Sequence, residues 1–161
     1  WFNKYYLDSK SEEQLTKAIN NKKFDGGDYS NNVLLAIRER CSTLNDFVIL
    51  SSYFFKDPED FEDTLINKHC KEGTYGYLSL LKSYLSELEM WDQISIKEVI
   101  DKTVSEVDVG FGKIGLPLRL ALTATVNSPS IDLVCEILGK DIVLKRLENF
   151  LSMIQSLEKD L

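Results

Sequence analysis

The stretch from residue 113 to residue 147 most tightly limits what this chain can fold into, because helix-breaking residues recur in it at short intervals. Pro117 fits the first turn of a helix, where its missing N–H costs nothing. Pro129 cannot continue that helix, and Gly139 is the residue type that commonly ends the following one. The stretch therefore predicts three helices joined by tight turns.

Apolar side chains recur every three or four residues through most of the remaining chain. After Thr74, one predicted helix face carries Tyr77, Leu78, Leu81, Tyr84, Leu85 and Leu88. This spacing is typical of an amphipathic helix, and no convincing two-residue alternation of a strand appears anywhere. We predict an all-α fold of short to medium helices with orthogonal or bundle-like packing and no significant sheet.

The helical periodicity breaks at Asp57-Pro58, which is followed by the acidic segment 59–63. Proline disfavours helix at the preceding residue, and Asp-Pro favours a turn. We therefore predict two helical subdomains. Residues 1–60 form a connecting subdomain that contributes Arg40, and residues 61–161 form the second subdomain.

The charge balance limits the kinds of partner, because 26 acidic residues outnumber 19 basic ones and the net charge is −7. Non-specific nucleic-acid binding depends on Lys and Arg neutralising phosphates, so any contact with nucleic acid has to be local. No apolar run approaches the roughly 18 residues that cross a bilayer, and since no basic and apolar leader pattern is seen, we expect no secretory signal. Since residue 1 is Trp rather than Met, we expect the chain to be cut from a longer protein.

The cysteines at 41, 70 and 135 are widely spaced and form no Cys-x-x-Cys or Cys/His ligand pattern. This spacing predicts three reduced thiols in a cytoplasmic protein and no metal site. No arrangement of His, Asp and Ser or of paired carboxylates suggests catalysis.

Arg119 and the turn at residues 128–130 (Ser-Pro-Ser) form the most suggestive polar group. An arginine beside a helix-joining turn can stack on a base or pair with its edge. Alternatively, Arg119 makes a salt bridge to Asp132 or donates to a carbonyl, and the turn only caps a helix. Farther along, we expect Lys145 and Arg146 to lie on a solvated face.

Several motifs together resemble the C-terminal signature of bacterial glutamyl-tRNA synthetases, which are class I aminoacyl-tRNA synthetases. They lie at residues 117–123 (Pro-Leu-Arg-Leu-Ala-Leu-Thr), 128–129, 137–141 and 146–147, with weaker matches at 38–40, 43–44 and 1–6. The motifs occur in the family's order, and the resemblance covers essentially the whole chain. It implies a helical anticodon-binding region in two subdomains.

The resemblance also implies which residues contact the anticodon. Arg40 matches the arginine that reads the third anticodon base in members restricted to tRNA-Glu, and Arg119 matches an arginine at the anticodon loop. The turn that packs on the first two anticodon bases corresponds to Ser128, Pro129 and Ile131. The chain departs from the family at Ala124, where glycine is usual, so we expect an unusual backbone angle there.

The resemblance places the chemistry outside this chain, since neither the His-x-Gly-His nor the Lys-Met-Ser-Lys-Ser type of motif is present. The chain itself is then not an enzyme and has no catalytic residue and no cofactor. In the parent glutamate–tRNA ligase, an upstream domain charges tRNA-Glu with glutamate using ATP and Mg. The implied partner is the anticodon loop of tRNA-Glu, with no DNA and no membrane, and the implied state is a cytoplasmic monomer. The rival hypothesis is a helical protein-interaction domain without RNA binding.

Overall fold

The described part of the chain, residues 28–159 of a computed structural model, is helical and contains no strand, which confirms the all-α prediction. It belongs to two compact units, one ending at Lys56 and the other beginning at Asp57. In the part described, no helix is both long and apolar enough to span a membrane. The motif at residues 1–6 lies outside the described residues.

The described residues form eight α-helices and one 3₁₀ turn. They are α1 (Asp28–Ile37), a 3₁₀ turn (Arg38–Arg40), α2 (Leu44–Phe55), α3 (Asp63–His69), α4 (Thr74–Glu87), α5 (Gln93–Glu106), α6 (Gly112–Thr123), α7 (Ile131–Leu138) and α8 (Lys140–Lys159).

The first unit packs α1 against α2, and buries Val33, Ile37 and Phe47 between them. α2 begins with a capping box: the Thr43 hydroxyl accepts from the Asp46 N–H at 3.1 Å, and the Asp46 carboxylate accepts from the Thr43 N–H at 2.8 Å. The reciprocal bonds satisfy two backbone donors that a helix start leaves without partners. They fix where α2 begins, a few residues after the 3₁₀ turn.

The second unit is built around α4, which packs against α5, α6 and α8. α3 packs on α6, and α7 packs on α5 and α8. The shared core consists of aliphatic and aromatic side chains from these helices, including Leu78, Leu81, Leu85, Ile96, Ile100, Leu118, Leu122, Val134, Val143, Leu147 and Phe150. α6 therefore packs against α3, α4 and α8, and the residues that follow it leave from a packed helix.

Pro117 lies inside α6, not in its first turn, so that prediction is wrong. The helix starts upstream, where the Lys113 N–H donates to the Gly110 carbonyl at 2.9 Å and the Gly115 N–H donates to the Phe111 carbonyl at 2.7 Å. A proline at this position removes only one bond of the helix ladder, and the packed neighbours of α6 offset that loss.

α7 and α8 are separated by one residue, Gly139, whose backbone angles are φ 84° and ψ 157°. These angles are essentially restricted to glycine. The Gly139 N–H donates to the Cys135 carbonyl and the Gly139 carbonyl accepts from the Val143 N–H, both at 3.1 Å. The predicted helix end at Gly139 is therefore confirmed, and this residue serves both helices.

Candidate functional site

The turn 124–130 joins α6 to α7 and begins with a strained residue. Ala124 has φ 53° and ψ 17°, in the left-handed region, and its N–H donates to the Leu120 carbonyl at 2.8 Å. This conformation costs a non-glycine residue about 1–2 kcal/mol. The expectation of an unusual backbone angle at Ala124 is confirmed.

Two threonines hold the first half of the turn. The Thr123 hydroxyl donates to the Arg119 carbonyl at 2.8 Å and accepts from the Thr125 N–H at 3.3 Å. The Thr125 hydroxyl in turn accepts from the Asn127 N–H at 3.1 Å. The backbone up to Asn127 is thereby tied to the last turn of α6.

Arg119 holds the second half of the turn. Its Nη1 donates to the Ser128 carbonyl at 2.7 Å, the Ser128 hydroxyl at 2.9 Å and the Pro129 carbonyl at 3.0 Å. The sequence left open whether Arg119 makes a salt bridge to Asp132 or donates to a carbonyl. In the structure it donates to carbonyls, and the Asp132 carboxylate accepts from Gln93 Nε2 at 2.7 Å. Hydrogen bonds from a charged donor are about twice as strong as neutral ones, so Arg119 fixes the turn firmly.

The side chains of the turn divide into buried and exposed groups. Ser128, Pro129 and Ile131 are buried, and Ile131 contributes to the core at the start of α7. Asn127 and Ser130, which flank the buried pair, are exposed. The structure therefore brings Arg119, Ser128, Pro129 and Ile131 together, and the polar side chains at the surface of the turn are those of Asn127 and Ser130.

A second arginine, Arg146 on α8, supports the end of α6, where the turn 124–130 starts. Arg146 is buried, and its Nη1 donates to the Leu122 carbonyl at 2.7 Å. Its Nε donates to Asp57 Oδ1 at 3.0 Å, and Lys145 Nζ donates to Asp57 Oδ2 at 2.6 Å. The predicted solvated face is wrong for Arg146, because the fold brings Asp57 and the carbonyl end of α6 to this residue. It is right for Lys145, whose side chain is 62% exposed.

The two basic partners act on the charge of Asp57. Hydrogen bonding from Lys145, and to a smaller extent from Arg146, holds the pKa of Asp57 below its usual range. The carboxylate is therefore ionised throughout the neutral range, and it balances the buried guanidinium of Arg146. This carboxylate begins the second unit, so the chain enters that unit at an anchored residue.

Arg40 lies in the first unit, as the last residue of the 3₁₀ turn, and is exposed. The turn leads through Cys41 into the capping box at Thr43, which gives the backbone beside Arg40 a defined path. That Arg40 reads the third anticodon base stays a prediction.

The thiols offer no obvious nucleophile. Cys41, Cys70 and Cys135 are free, and burial raises the pKa of both Cys41 and Cys70 to about 11 and that of Cys135 still further. A thiol that stays protonated at neutral pH is a poor nucleophile and a poor metal ligand. Among residues 28–159, no three His, Cys, Asp or Glu side chains are grouped as metal ligands are.

Sequence reasoning missed Asp57. Asp57 is separated by 89 positions from Arg146 in the sequence. Because a proline follows it, the sequence predicted only a turn at this residue. The Asp-Pro pattern locates a break in the helix, but it does not indicate which distant side chain pairs with Asp57 in the folded chain.

Comparisons with known proteins bear on both units. A family model described as an anticodon binding domain matches residues 4–151. The solved structure of a glutamate tRNA ligase from Elizabethkingia meningosepticum in complex with its amino acid is 24% identical, with a TM-score of 0.81 over 94% of this chain and 31% of that chain. A glutamate-tRNA synthetase from Elizabethkingia anophelis is also 24% identical, with a TM-score of 0.77 over 94% of this chain and 30% of that chain. These structures share the fold, and this chain spans under a third of their length.

Proposed function

Because the chain belongs to the anticodon-binding domain family, we propose that it recognises the anticodon loop of tRNA-Glu, as part of a glutamate–tRNA ligase. The observation that carries the proposal is the extent of the family match. It spans residues 4–151, and so includes Arg40, Arg119, Ser128, Pro129 and Ile131. The rival hypothesis of a protein-interaction domain without RNA binding gains no support from this match.

The turn 124–130 is suited to a single-stranded loop. Proteins read such RNA by stacking unpaired bases and hydrogen bonding to their edges, which needs polar groups held in fixed positions. Arg119 and the two threonines supply the fixed backbone. We propose that Arg119 acts in two ways, holding Ser128 and Pro129 while its guanidinium borders the bound loop. With a net charge of −7, the chain makes few phosphate contacts elsewhere.

Catalysis in this proposal belongs to a longer protein. Both solved relatives are glutamate–tRNA ligases, and this chain covers 31% and 30% of them. The activation of glutamate with ATP and Mg would take place in a domain that this chain does not include. We propose a cytoplasmic, monomeric ligase in which the present residues bind tRNA and neither ATP nor metal.

The proposal is tested by titrating the 161-residue chain with a tRNA-Glu anticodon stem-loop. Companion loops carry a substitution at each anticodon position in turn, and an unrelated hairpin of equal length serves as the control. We expect specific binding that weakens as salt rises, with the small salt slope of a protein that makes few phosphate contacts. Equal affinity for the anticodon loop and the unrelated hairpin would contradict anticodon recognition.

Arg40 gives a sharper test, because Arg38 in the same 3₁₀ turn provides a matched control. Arg40→Ala should abolish discrimination at the third anticodon base, at a cost of about 1–3 kcal/mol if the side chain pairs with a base edge. Arg38→Ala should leave that discrimination intact. If both variants discriminate as well as the parent chain, Arg40 does not read the third base.

Arg119→Ala should also lower affinity by about 1–3 kcal/mol. Since the change removes the bonds to Ser128 and Pro129 as well, hydrogen exchange at Asn127 and Ser128 should be measured in the same variant. A loss of affinity within error of zero would leave Arg119 without a role in RNA binding.

A further inference from the structure

The segment 88–93, which leads from α4 into α5, lies along α7. The Leu88 carbonyl accepts from Lys140 Nζ at 2.7 Å, and Trp91 Nε1 donates to the Cys135 carbonyl at 2.9 Å. The partners of the segment run backwards along the chain as the segment runs forwards, so it passes antiparallel to α7. It reaches the start of α7, beside the turn 124–130, at Gln93.

Gln93 binds α7 with both its backbone and its side chain. Its N–H donates to Glu136 Oε1 at 3.0 Å, and its Nε2 donates to Asp132 Oδ2 at 2.7 Å. Asp132 and Glu136 are four residues apart, and so lie on the same face of the helix. All three side chains are half-buried, and hydrogen bonds to a carboxylate are about twice as strong as neutral ones. Gln93 therefore fixes how the first turn of α7 is oriented.

Asp132 is the second residue of α7, directly after the turn 124–130. A helix of eight residues is not stable by itself, so the position of α7 depends on what packs and bonds to it. On the α6 side, the turn is held by Arg119, which donates to the Pro129 carbonyl at 3.0 Å. On the α7 side, it is held through Asp132 by Gln93.

We infer that Gln93 is a positioning residue for anticodon recognition, and acts through Asp132 on the turn against which the first two anticodon bases are proposed to pack. This inference rests on the proposed function and adds a residue from another helix. Gln93 itself does not touch the RNA. Its effect should be confined to the first two bases, because the third is assigned to Arg40 in the other unit.

The test uses variants of the full 161-residue chain and the panel of stem-loops described above. Gln93→Glu brings a second carboxylate against Asp132. Asp132→Asn keeps the bond, since a carboxamide oxygen also accepts from Gln93. In the double variant, the carboxamide at position 132 can donate to the carboxylate at position 93, which restores the bond in reverse. Gln155→Glu is the matched control, because it adds the same charge at an exposed glutamine of α8.

Gln93→Glu should bind the tRNA-Glu loop about 2- to 30-fold more weakly and lose discrimination at the first two anticodon positions by a similar factor. Discrimination at the third position should stay that of the parent chain. Asp132→Asn and the double variant should discriminate as the parent chain does at all three positions, and so should Gln155→Glu.

Hydrogen exchange without RNA gives a second measurement. The Val134 N–H donates to the Ser130 carbonyl at 3.0 Å, across the first turn of α7. Its exchange should be faster in Gln93→Glu and return to the parent rate in the double variant. Circular dichroism at the assay temperature checks that every variant is folded.

Three results would overturn the inference while leaving the proposed function intact. They are a Gln93→Glu variant that discriminates as the parent chain does, one that loses discrimination equally at all three positions, and a double variant that does not recover. Equal loss at all positions would mean that Gln93 only stabilises the fold. A parent chain with no preference for the anticodon loop would instead overturn the proposed function, and this inference with it.

Discussion

Replacing Arg146 with methionine should measure how much this side chain contributes to the free energy of unfolding. Arg146 is the one buried arginine among the described residues. The side chain is only 3% exposed, and it joins the Leu122 carbonyl of α6 to the Asp57 carboxylate. Methionine fills most of the space of the arginine stem but donates no hydrogen bond. The variant therefore removes the polar contacts of Arg146 and preserves most of its packing.

The expected cost follows from the two acceptors. A hydrogen bond from a charged group is worth about 1.5–3 kcal/mol, and the Leu122 carbonyl loses such a bond. The Asp57 side chain is 39% exposed and keeps Lys145, so its share resembles that of a surface pair, about 0–1 kcal/mol. Relief from burying a charge offsets part of the loss. We expect Arg146→Met to lower the free energy of unfolding by about 2–3 kcal/mol.

Urea unfolding followed by circular dichroism gives this value, and Lys145→Met is the matched control. The control makes the same substitution at the neighbouring residue and removes a bond to the same carboxylate. Because Lys145 is 62% exposed, its loss should cost no more than about 1 kcal/mol.

The reasoning would be refuted if the two variants were equally stable, or if Arg146→Met unfolded at the urea concentration of the parent chain. Equal costs would mean that the carboxylate alone matters. No cost would mean that the Leu122 carbonyl finds another donor in the variant.

Three further predictions concern single residues. Ala124→Gly should raise the free energy of unfolding by about 0.5–1 kcal/mol, since relief of about 1–2 kcal/mol of left-handed strain exceeds the added entropy of the unfolded chain; a lower urea midpoint would contradict this. Thr43→Ala should cost about 1 kcal/mol by breaking the capping box, with Ser42→Ala as the control in urea unfolding. Asp57→Asn should be destabilising at pH 7. Because folding lowers the pKa of Asp57, this difference should be constant above the unfolded pKa of about 3.9 and should be lost as pH falls from there through the lower folded value. Equal differences in the urea midpoint at pH 7 and 5, and a smaller one at pH 3, would show this.

Sequence reasoning predicted the helices well where their ends depend on local chemistry. The start of α4 at Thr74 and the end of α7 at Gly139 appear as expected, because apolar spacing and glycine conformation are properties of neighbouring residues. It is less informative where several neighbouring residues can cap a helix. α5 is capped by Asp92, whose carboxylate accepts from the Ser95 N–H at 2.8 Å, although Ser95 is itself a residue type that caps helices.

The site was predicted less completely than the fold. Arg119 and the Ser-Pro-Ser turn were predicted to form one polar group because they are close in the sequence, separated only by the end of one helix and a short turn. Whether an arginine points to solvent or to a carbonyl depends on the path of the backbone between them, and that path depends on Ala124. Arg146 was assigned to the wrong environment because its partners, Asp57 and the Leu122 carbonyl, come from distant parts of the chain. Pairings of that kind follow from the tertiary fold.

The single-residue link at Gly139 has a consequence for how this domain tolerates changes in length. An inserted or deleted residue between α7 and α8 has no loop to absorb it. A one-residue shift turns a helix by about 100°, so Arg146, two turns into α8, would lose both Asp57 and Leu122. Insertions should instead be accepted between α5 and α6, where residues 107–111 form a connection. A library of single-residue insertions, scored for folded protein, would map this difference along the chain.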